Sequence, residues 1–328
     1  MEKYELLIEA LKNYDAFKAD ILKDEPLKDK CTFKVGGRAA LFIKPINYYS
    51  FQILLELLLQ NKYKFFILGG GSNVVLPDYY DGVIVSTQNF NEIDYFEADN
   101  LPLDFGHIEL KEGQCLVSCF SGTSIATIVN FCKQNNISGF EEFAGLPGSA
   151  GGAVYMNARC FEKSISDVLF STTYMDLSKD KVKLHHILKN PSDWDYKKSP
   201  FQANDKFITT VTFLLEQKGP EQHQAICDAC KSYINERISK GHFKFPSAGS
   251  VFKNNRDFGL PSGKIIDQAG LKGFQIGGAK IADFHGNFII NTDNASQDDI
   301  KKLVEYTKSE VLKKFGYKLE EEIIFLNS

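Results

Sequence analysis

The sequence predicts an α+β protein with more than one domain, and three observations lead to this expectation. Helical and β-type patterns alternate over residues 1–90, and short β-type segments dominate the middle of the chain. A new mixture of helical and β-type patterns begins near residue 219, after the interruption Gln217-Lys218-Gly219-Pro220. The length of 328 residues also exceeds that of one ordinary domain.

Each element is predicted from a local pattern. Ser296 has the position of an N-cap for the last helix, with Asp299 three residues later. The predicted helices cover residues 1–22, 47–61, 124–134, 221–238, 263–269 and 297–315. The predicted β-type segments cover residues 39–43, 64–68, 74–76, 83–85, 107–110, 116–117, 169–177, 208–215, 287–291 and 319–326.

Composition excludes several classes of protein. The net charge of −4 argues against a general nucleic-acid binder, which is usually basic. No apolar run reaches the ~18 residues that a membrane-spanning helix needs. The first residues form an acidic amphipathic pattern, which differs from a signal peptide. We therefore expect a cytoplasmic protein without a membrane or nucleic-acid partner. A monomer is also expected, although these observations do not determine the oligomeric state.

The seven cysteines are odd in number and scattered, which favours a reducing compartment over a disulfide framework. Cys227 and Cys230 form a C-x-x-C motif, but the chain has no second pair at zinc spacing. We interpret the motif as two small apolar residues on one helix face and expect no metal site.

Two glycine-rich segments, Gly69–Asn73 and Gly145–Gly152, favour a nucleotide site or simple tight turns. A dinucleotide fingerprint of the Rossmann type needs a helix after the glycine turn, whereas β-type residues follow both segments here. Consecutive amides in a glycine turn can still bind phosphate without a helix, because glycine lets the backbone approach closely. A flavin or another nucleotide therefore remains an open alternative to plain turns.

Eight motifs between Thr32 and Phe325 resemble, in order and spacing, the UDP-N-acetylenolpyruvoylglucosamine reductase family. They are TFKVGGRA, ILGGGSNVVL, EFAGLPGSAGGAVYMNA, DYKKS, PSAGSVFKN, GKIIDQAGLKGFQIGGAKI, HGNFIIN and GYKLEEEI. The short span between Ser199 and Ser250 is similar to the subtype without an inserted tyrosine loop.

The resemblance implies a two-part FAD-binding region of the vanillyl-alcohol-oxidase type and a C-terminal α+β substrate-binding domain. The first FAD-binding subdomain would cover residues 1–90, and the second residues 91–218 with 316–328. The substrate-binding domain would cover residues 219–315.

The resemblance also implies the reaction, which belongs to peptidoglycan precursor synthesis. NADPH reduces bound FAD, and the flavin then passes hydride to the vinyl carbon of UDP-N-acetylenolpyruvoylglucosamine, giving UDP-N-acetylmuramate. A proton donor and groups that stabilise negative charge complete the site. The implied cofactor-binding residues are Gly69, Gly70, Gly71, Ser72, Asn73, Gly145, Gly148, Ser149, Gly151 and Gly152.

The family motifs assign roles to individual residues. Ser250 in PSAGS would donate the proton, and Glu322 aligns with a catalytic glutamate. Strand alternation would place Glu320 on the same face as Glu322, so Glu320 is the alternative. The residues that match substrate-binding positions are Tyr196, Lys240, Asn254 and His285.

The chain departs from the family where a catalytic arginine is usual. Lys197 occupies that position and supplies one charge without the planar fork of a guanidinium. Arg159 stands where glycine is usual, Ile324 where an arginine is usual, and Gly241-His242 where Gln-Pro is usual. We expect Lys197 to be the catalytic cation, with Arg159 as the rival.

Two other functions are weighed against this one. A different FAD-dependent oxidase or dehydrogenase on the same fold often tethers the flavin through a histidine, and none lies between Cys31 and Asn91. A degenerate flavin-binding or UDP-sugar-binding protein would fit the loss of the arginine, but the retention of Ser250 and Glu322 argues against it. The preference for NADPH over NADH stays open.

Overall fold

The computed structural model describes residues 2–97, 100–101, 108–203 and 205–328. Helices and strands alternate in the first and last thirds of the chain. The helices are α1 (Glu2–Lys12), α2 (Tyr48–Gln60), α3 (Ile125–Gln134), α4 (Ala150–Tyr155), α5 (Ile165–Val168), α6 (His223–Ser239), α7 (Ser262–Gln268) and α8 (Gln297–Phe315).

The first nine strands are β1 (Ala19–Pro26), β2 (Arg38–Pro45), β3 (Phe65–Leu68), β4 (Val74–Val75), β5 (Tyr79–Ser86), β6 (Ile93–Phe96), β7 (Gln114–Phe120), β8 (Ile137–Ser138) and β9 (Arg159–Cys160). The next nine are β10 (Lys163–Ser164), β11 (Leu169–Asp176), β12 (Lys183–Leu188), β13 (Lys206–Gln217), β14 (Ser247–Ser250), β15 (Gln275–Ile276), β16 (Ala279–Ile281), β17 (Phe288–Asn291) and β18 (Ile324–Phe325).

These strands form several sheets. One has the order β1-β2-β5-β3, and another has the order β12-β11-β13-β7-β6 with β8 paired to β13. A four-stranded sheet has the order β14-β17-β16-β15. Strand β18 pairs with β4 in parallel, with Ile324 opposite Val74.

The chain divides into two compact units. The first consists of residues 1–21, 43–70 and 84–235, and the second of residues 22–42, 71–83 and 236–328. The first unit contains the sheet around β13 and an apolar core in which β7, β13, α3 and α4 take part. In the second unit, a small core of Ala282, Phe288 and Ile290 lies beside the sheet around β17.

Local sequence signals set several boundaries as expected. Ser296 and Asp299 form a capping box at α8, and Gly316 ends that helix with a φ of 74°. Asn47 caps α2, because its side chain accepts a hydrogen bond from the amide of Ser50. Among the residues that the structure describes, no helix is long and apolar enough to cross a membrane.

Three of the predicted elements are wrong. The helix expected over residues 1–22 ends at Lys12, because residues from Ala19 onward pair as strand β1. The strand expected over residues 319–326 shrinks to Ile324–Phe325 and an isolated bridge at Glu321. The residues after the second glycine segment form helix α4 rather than a strand.

One further expectation lies partly outside the described residues. The β-type segment predicted over residues 107–110 begins at a residue that the structure does not describe, and residues 108–110 are not in a strand.

Candidate active site

The first glycine loop, Gly69–Asn73, joins β3 to β4, so a strand follows it as the sequence predicted. Gly71 has a φ of 65°, and a Cβ there would lie 2.1 Å from the carbonyl oxygen of Lys30. Within the described part of the chain, no backbone carbonyl accepts a hydrogen bond from the amides of residues 70–73. These amides are therefore available to phosphate oxygens.

The two glycine loops pack directly on each other. A Cβ on Gly70 would lie 2.6 Å from Cα of Gly148 and 2.9 Å from the amide nitrogen of Ser149. A Cβ on Gly69 would lie 2.6 Å from Oγ of Ser149. Contacts this short exclude any side chain, so glycine is required by the close approach of the two backbones.

The second loop opens a helix, which corrects the expectation that no helix follows it. The side chain of Ser149 caps α4 by accepting a hydrogen bond from the amide of Gly152 at 3.4 Å. The apolar run Ala153-Val154-Tyr155 is too short for its periodicity to separate a buried helix from a strand. A Cβ on Gly151 would lie 2.6 Å from Cβ of Ser121, so α4 needs glycine to approach this neighbour.

Two buried hydroxyls near these loops lack a hydrogen-bond partner among the described residues. They are Oγ1 of Thr87 and Oγ of Ser121. Buried hydroxyls normally have a partner, so a polar ligand group beside them would remove this cost. These hydroxyls belong to the same unit as Gly70 and the second glycine loop, and this part of the unit fits a large cofactor that carries polar groups, such as FAD.

Tyr196 and Lys197 lie in a tight turn that is anchored to α4. The amide of Lys198 donates to the carbonyl of Asp195 at 3.0 Å, and Lys197 has a φ of 57°. The hydroxyl of Ser199 donates to the carbonyl of Tyr155 at 2.7 Å. The turn therefore belongs to the same unit as α4 and the second glycine loop, and both Tyr196 and Lys197 are half-buried.

Arg159 is occupied within its own hairpin of β9 and β10. Its guanidinium lies 2.7 Å from the carboxylate of Glu162 and donates to Oγ of Ser164 at 3.3 Å. Phe161 and Glu162 form the hairpin turn with positive φ angles, which holds this carboxylate near the arginine.

Ser250 and Glu322 lie close together in the second unit. Ser250 ends β14, and a β-bulge between Ser247 and Ser250 includes Gly249, whose φ is 75°. The amide of Glu322 donates to the carbonyl of Val251 at 2.7 Å, so the glutamate is held beside the residue that follows the serine.

The neighbours of Glu322 are engaged elsewhere. The Lys253 ammonium lies 2.5 Å from the Glu320 carboxylate, and the Lys308 ammonium lies 2.9 Å from the Glu321 carboxylate. Asn73 donates through Nδ2 to the carbonyl of Glu322 at 2.9 Å. The alternation argument for a shared strand face does not apply, because no continuous strand runs through this segment.

Among the predicted substrate-binding residues of the second unit, His285 is influenced by nearby cations. The pKa of His285 is lowered, first by burial and then by the charges of Lys272 and Lys240. Its Nδ1 accepts a hydrogen bond from the amide of Asn287 at 3.1 Å. Asn254 is exposed, and its Oδ1 accepts a hydrogen bond from the amide of Ser262.

No functional role was predicted from the sequence for three residues of this region. Asn287 makes two 2.8 Å hydrogen bonds to the backbone of Phe252 and so fixes the segment after Ser250. Burial and the charge of Arg237, itself 6% exposed, lower the pKa of His242 to about 4. Asn287 lies inside the quoted motif HGNFIIN, whereas nothing in the sequence pattern marks Arg237 as buried.

Two family models match this sequence. Residues 39–182 match the FAD binding domain, and residues 241–326 match the C-terminal domain of UDP-N-acetylenolpyruvoylglucosamine reductase.

Relatives with known names agree with these matches. The UDP-N-acetylenolpyruvoylglucosamine reductase of Treponema denticola is 42% identical, and the match covers 92% of each chain. The enzyme of the same name from Borreliella burgdorferi is 38% identical over 92% of each chain. The crystal structure of this reductase from Thermus caldophilus superposes with a TM-score of 0.68 at 26% identity, covering 94% of this chain and 99% of that one. The predicted fold class is thereby confirmed.

Proposed function

Because the chain belongs to the UDP-N-acetylenolpyruvoylglucosamine reductase family, we propose that Ser250, Lys197 and Glu322 carry its chemistry. The chain is an FAD-dependent oxidoreductase that uses NADPH to reduce UDP-N-acetylenolpyruvoylglucosamine to UDP-N-acetylmuramate in peptidoglycan precursor synthesis. The observation that carries the residue assignment is the hydrogen bond from the amide of Glu322 to the carbonyl of Val251, which holds the backbone of Glu322 beside the residue that follows Ser250.

The glycine loops are the proposed FAD site. The amides of residues 70–73 and the close backbone contact of Gly70 with Gly148 support this assignment, as do the buried hydroxyls of Thr87 and Ser121. Bound FAD supplies hydride transfer from NADPH to the substrate's vinyl carbon. The remaining cofactor-binding positions are Gly69, Gly145, Ser149, Gly151 and Gly152.

Protonation of the adjacent carbon is the proposed task of the Ser250 hydroxyl. We assign to the Glu322 carboxyl group the delivery of a proton to the serine or to the substrate. The Lys197 ammonium would stabilise the negative charge that develops on the substrate carboxylate. Tyr196, Lys240, Asn254 and His285 would bind the substrate, and the cations around His285 suit its diphosphate.

Anaerobic mixing of the purified protein tests this function. We expect a yellow protein whose flavin absorbance bleaches with NADPH and recovers on addition of the enolpyruvyl substrate. A colourless protein that takes up no added FAD would rule out the proposed cofactor site. A flavin that NADPH reduces but the substrate never reoxidises would rule out the reaction.

Three broader assignments are also proposals. We propose the three-part division at residues 90, 218 and 315, and a monomer. We further propose that the protein acts in the cytoplasm, which the odd number and scattered positions of the seven cysteines support.

A further inference from the structure

The C-x-x-C motif on α6 contains a thiol with unusual neighbours. Cys230 is buried, whereas Cys227 is half-buried. The Sγ of Cys227 lies 3.6 Å from Nε2 of His223, one helical turn earlier. Nothing in the flavin or substrate chemistry uses this pair.

The other ring nitrogen of His223 determines which tautomer faces the thiol. Nδ1 of His223 lies 2.9 Å from Oδ1 of Asn136. An amide oxygen only accepts hydrogen bonds, so the proton of the neutral ring is on Nδ1. Nε2 then carries a lone pair, and the Cys227 thiol donates its hydrogen bond to this basic nitrogen.

Asn136 is itself held in place at the end of α3. It has a φ of 55°, which asparagine tolerates better than most residues, and its carbonyl accepts a hydrogen bond from the amide of Lys218 at 2.9 Å. The order Asn136, His223, Cys227 therefore orients a base toward a nucleophile.

A groove with a volume of about 400 Å³ adjoins this thiol. The groove is lined by two positively charged residues, Lys133 and Lys231, and by one negatively charged residue, Asp228. The carboxylate accepts a hydrogen bond from Nε2 of Gln224 at 3.0 Å, which satisfies part of its charge within the protein. The remaining lining residues are Cys227, Cys230 and Ile234. The groove thus has a net positive charge beside a nucleophilic sulfur.

We propose that Cys227 is a modification site at which a small anionic disulfide, such as glutathione disulfide, forms a mixed disulfide with the protein. The thiol gives its proton to Nε2 of His223, and the thiolate sulfur attacks one sulfur of the disulfide. The disulfide bond of the reagent breaks, and its second sulfur leaves with the electron pair and takes a proton from the imidazolium. Cys227 is oxidised to the mixed disulfide, and one equivalent of the reagent's thiol is released.

Within the protein, the reaction stops at this mixed disulfide, and only an external thiol reverses it. Intramolecular release of the bound group would require Cys230 to attack as a thiolate. Burial raises the pKa of Cys230 to about 11, so this thiolate is scarce at neutral pH.

Peptide mass mapping after incubation of the full-length protein with glutathione disulfide tests the proposal. Cys160 is the matched control, because it is also half-buried but donates to the carbonyl of Glu142, which cannot take its proton. We expect modification of Cys227 to be at least about tenfold faster than that of Cys160, and His223→Gln to remove the difference. Equal rates in the unaltered protein, or a variant as fast as it, would overturn the role of His223.

The choice of an anionic reagent is tested separately. Lys133→Gln combined with Lys231→Gln should slow the reaction with glutathione disulfide several-fold at low salt, while the reaction with neutral hydroxyethyl disulfide keeps its rate. Equal slowing with both reagents would show that the groove does not select anions. Circular dichroism and flavin content, both expected unchanged, confirm that each variant is folded.

Discussion

At the scale of single residues, Ser250 and Lys197 are tested by separating the two halves of the reaction. Carbon is protonated only after hydride has left the flavin, so Ser250→Ala should leave flavin reduction by NADPH near normal. Reoxidation by the enolpyruvyl substrate should slow by ~10²–10⁴-fold, the usual loss for a positioned acid. Stopped-flow absorbance measures both steps, and an equal loss in both would show a structural role for the serine.

Lys197 is the position at which we propose that a lysine takes the place of the family's catalytic arginine. Lys197→Met keeps the stem and removes the charge, so substrate-driven flavin reoxidation should slow by at least ~10²-fold. Lys197→Arg should keep activity, because a guanidinium supplies the same positive charge as the ammonium.

Arg159→Met serves as the comparison for Lys197. Its guanidinium already pairs with Glu162, so we expect little change in flavin reoxidation. A normal rate in Lys197→Met together with a large loss in Arg159→Met would transfer the catalytic role to Arg159.

At the scale of elements, the contact between the two glycine loops gives the sharpest prediction. Gly70→Ala would place a methyl group 2.6 Å from Cα of Gly148, so the loops must separate and FAD binding should weaken strongly. Gly219→Ala is the control outside the loops, since its methyl group would meet only the side-chain carboxylate of Glu221, which can rotate away. Titration of each apoprotein with FAD measures both affinities. Equal affinities would show that the loop contact does not support the cofactor.

The elements also show which parts of the fold are readable from sequence. Helices with a cap and a clear period, such as α2, α3 and α8, agree with their predictions to within a few residues. Helix α4 was missed because small residues and a short apolar run carry no clear period. The packing of Gly70 on Gly148 could not be predicted from local patterns, because it is a contact between segments that are distant in the sequence.

In the proposed site, too, some features could be predicted from sequence motifs and others depend on the folded chain. The motifs supplied Ser250, Glu322 and Lys197 by position, but the strand alternation used to compare Glu320 with Glu322 does not exist in the fold. The preference for Glu322 is supported instead by its backbone hydrogen bond to Val251, which only the folded chain shows.

At the scale of the whole molecule, His242 and His285 make stability depend on pH. Burial lowers the pKa of His242 to about 4, and that of His285 is also lowered. Between pH 6.5 and pH 4 the unfolded chain therefore binds more protons than the folded protein. The contribution of the two neutral histidines to the free energy of unfolding should therefore be complete above pH 6.5. The free energy of unfolding should fall as the pH drops toward 4.

Urea unfolding at pH 7 and pH 5 measures this effect. Between pH 7 and pH 5, we expect the free energy of unfolding to fall less in His242→Gln than in the unaltered protein. His285 should account for part of the pH dependence that remains in this variant. Glu236, whose charge opposes the lowering at His242, stays unaltered in this comparison. A variant with the same pH dependence would show that His242 contributes nothing to it.

The parallel pairing of β4 with β18 determines when the nascent chain can complete its first glycine loop. Val74 and Ile324 are about 250 residues apart, so at ~5–20 residues per second the ribosome makes the second strand at least ~12 s after the first. The amide of Ile324 then donates to the carbonyl of Asn73, the last residue of the first glycine loop. Until that moment the loop lacks this support, and we expect the flavin to be captured only once translation has passed this point. A nascent chain stalled before Glu322 would therefore be colourless on the ribosome.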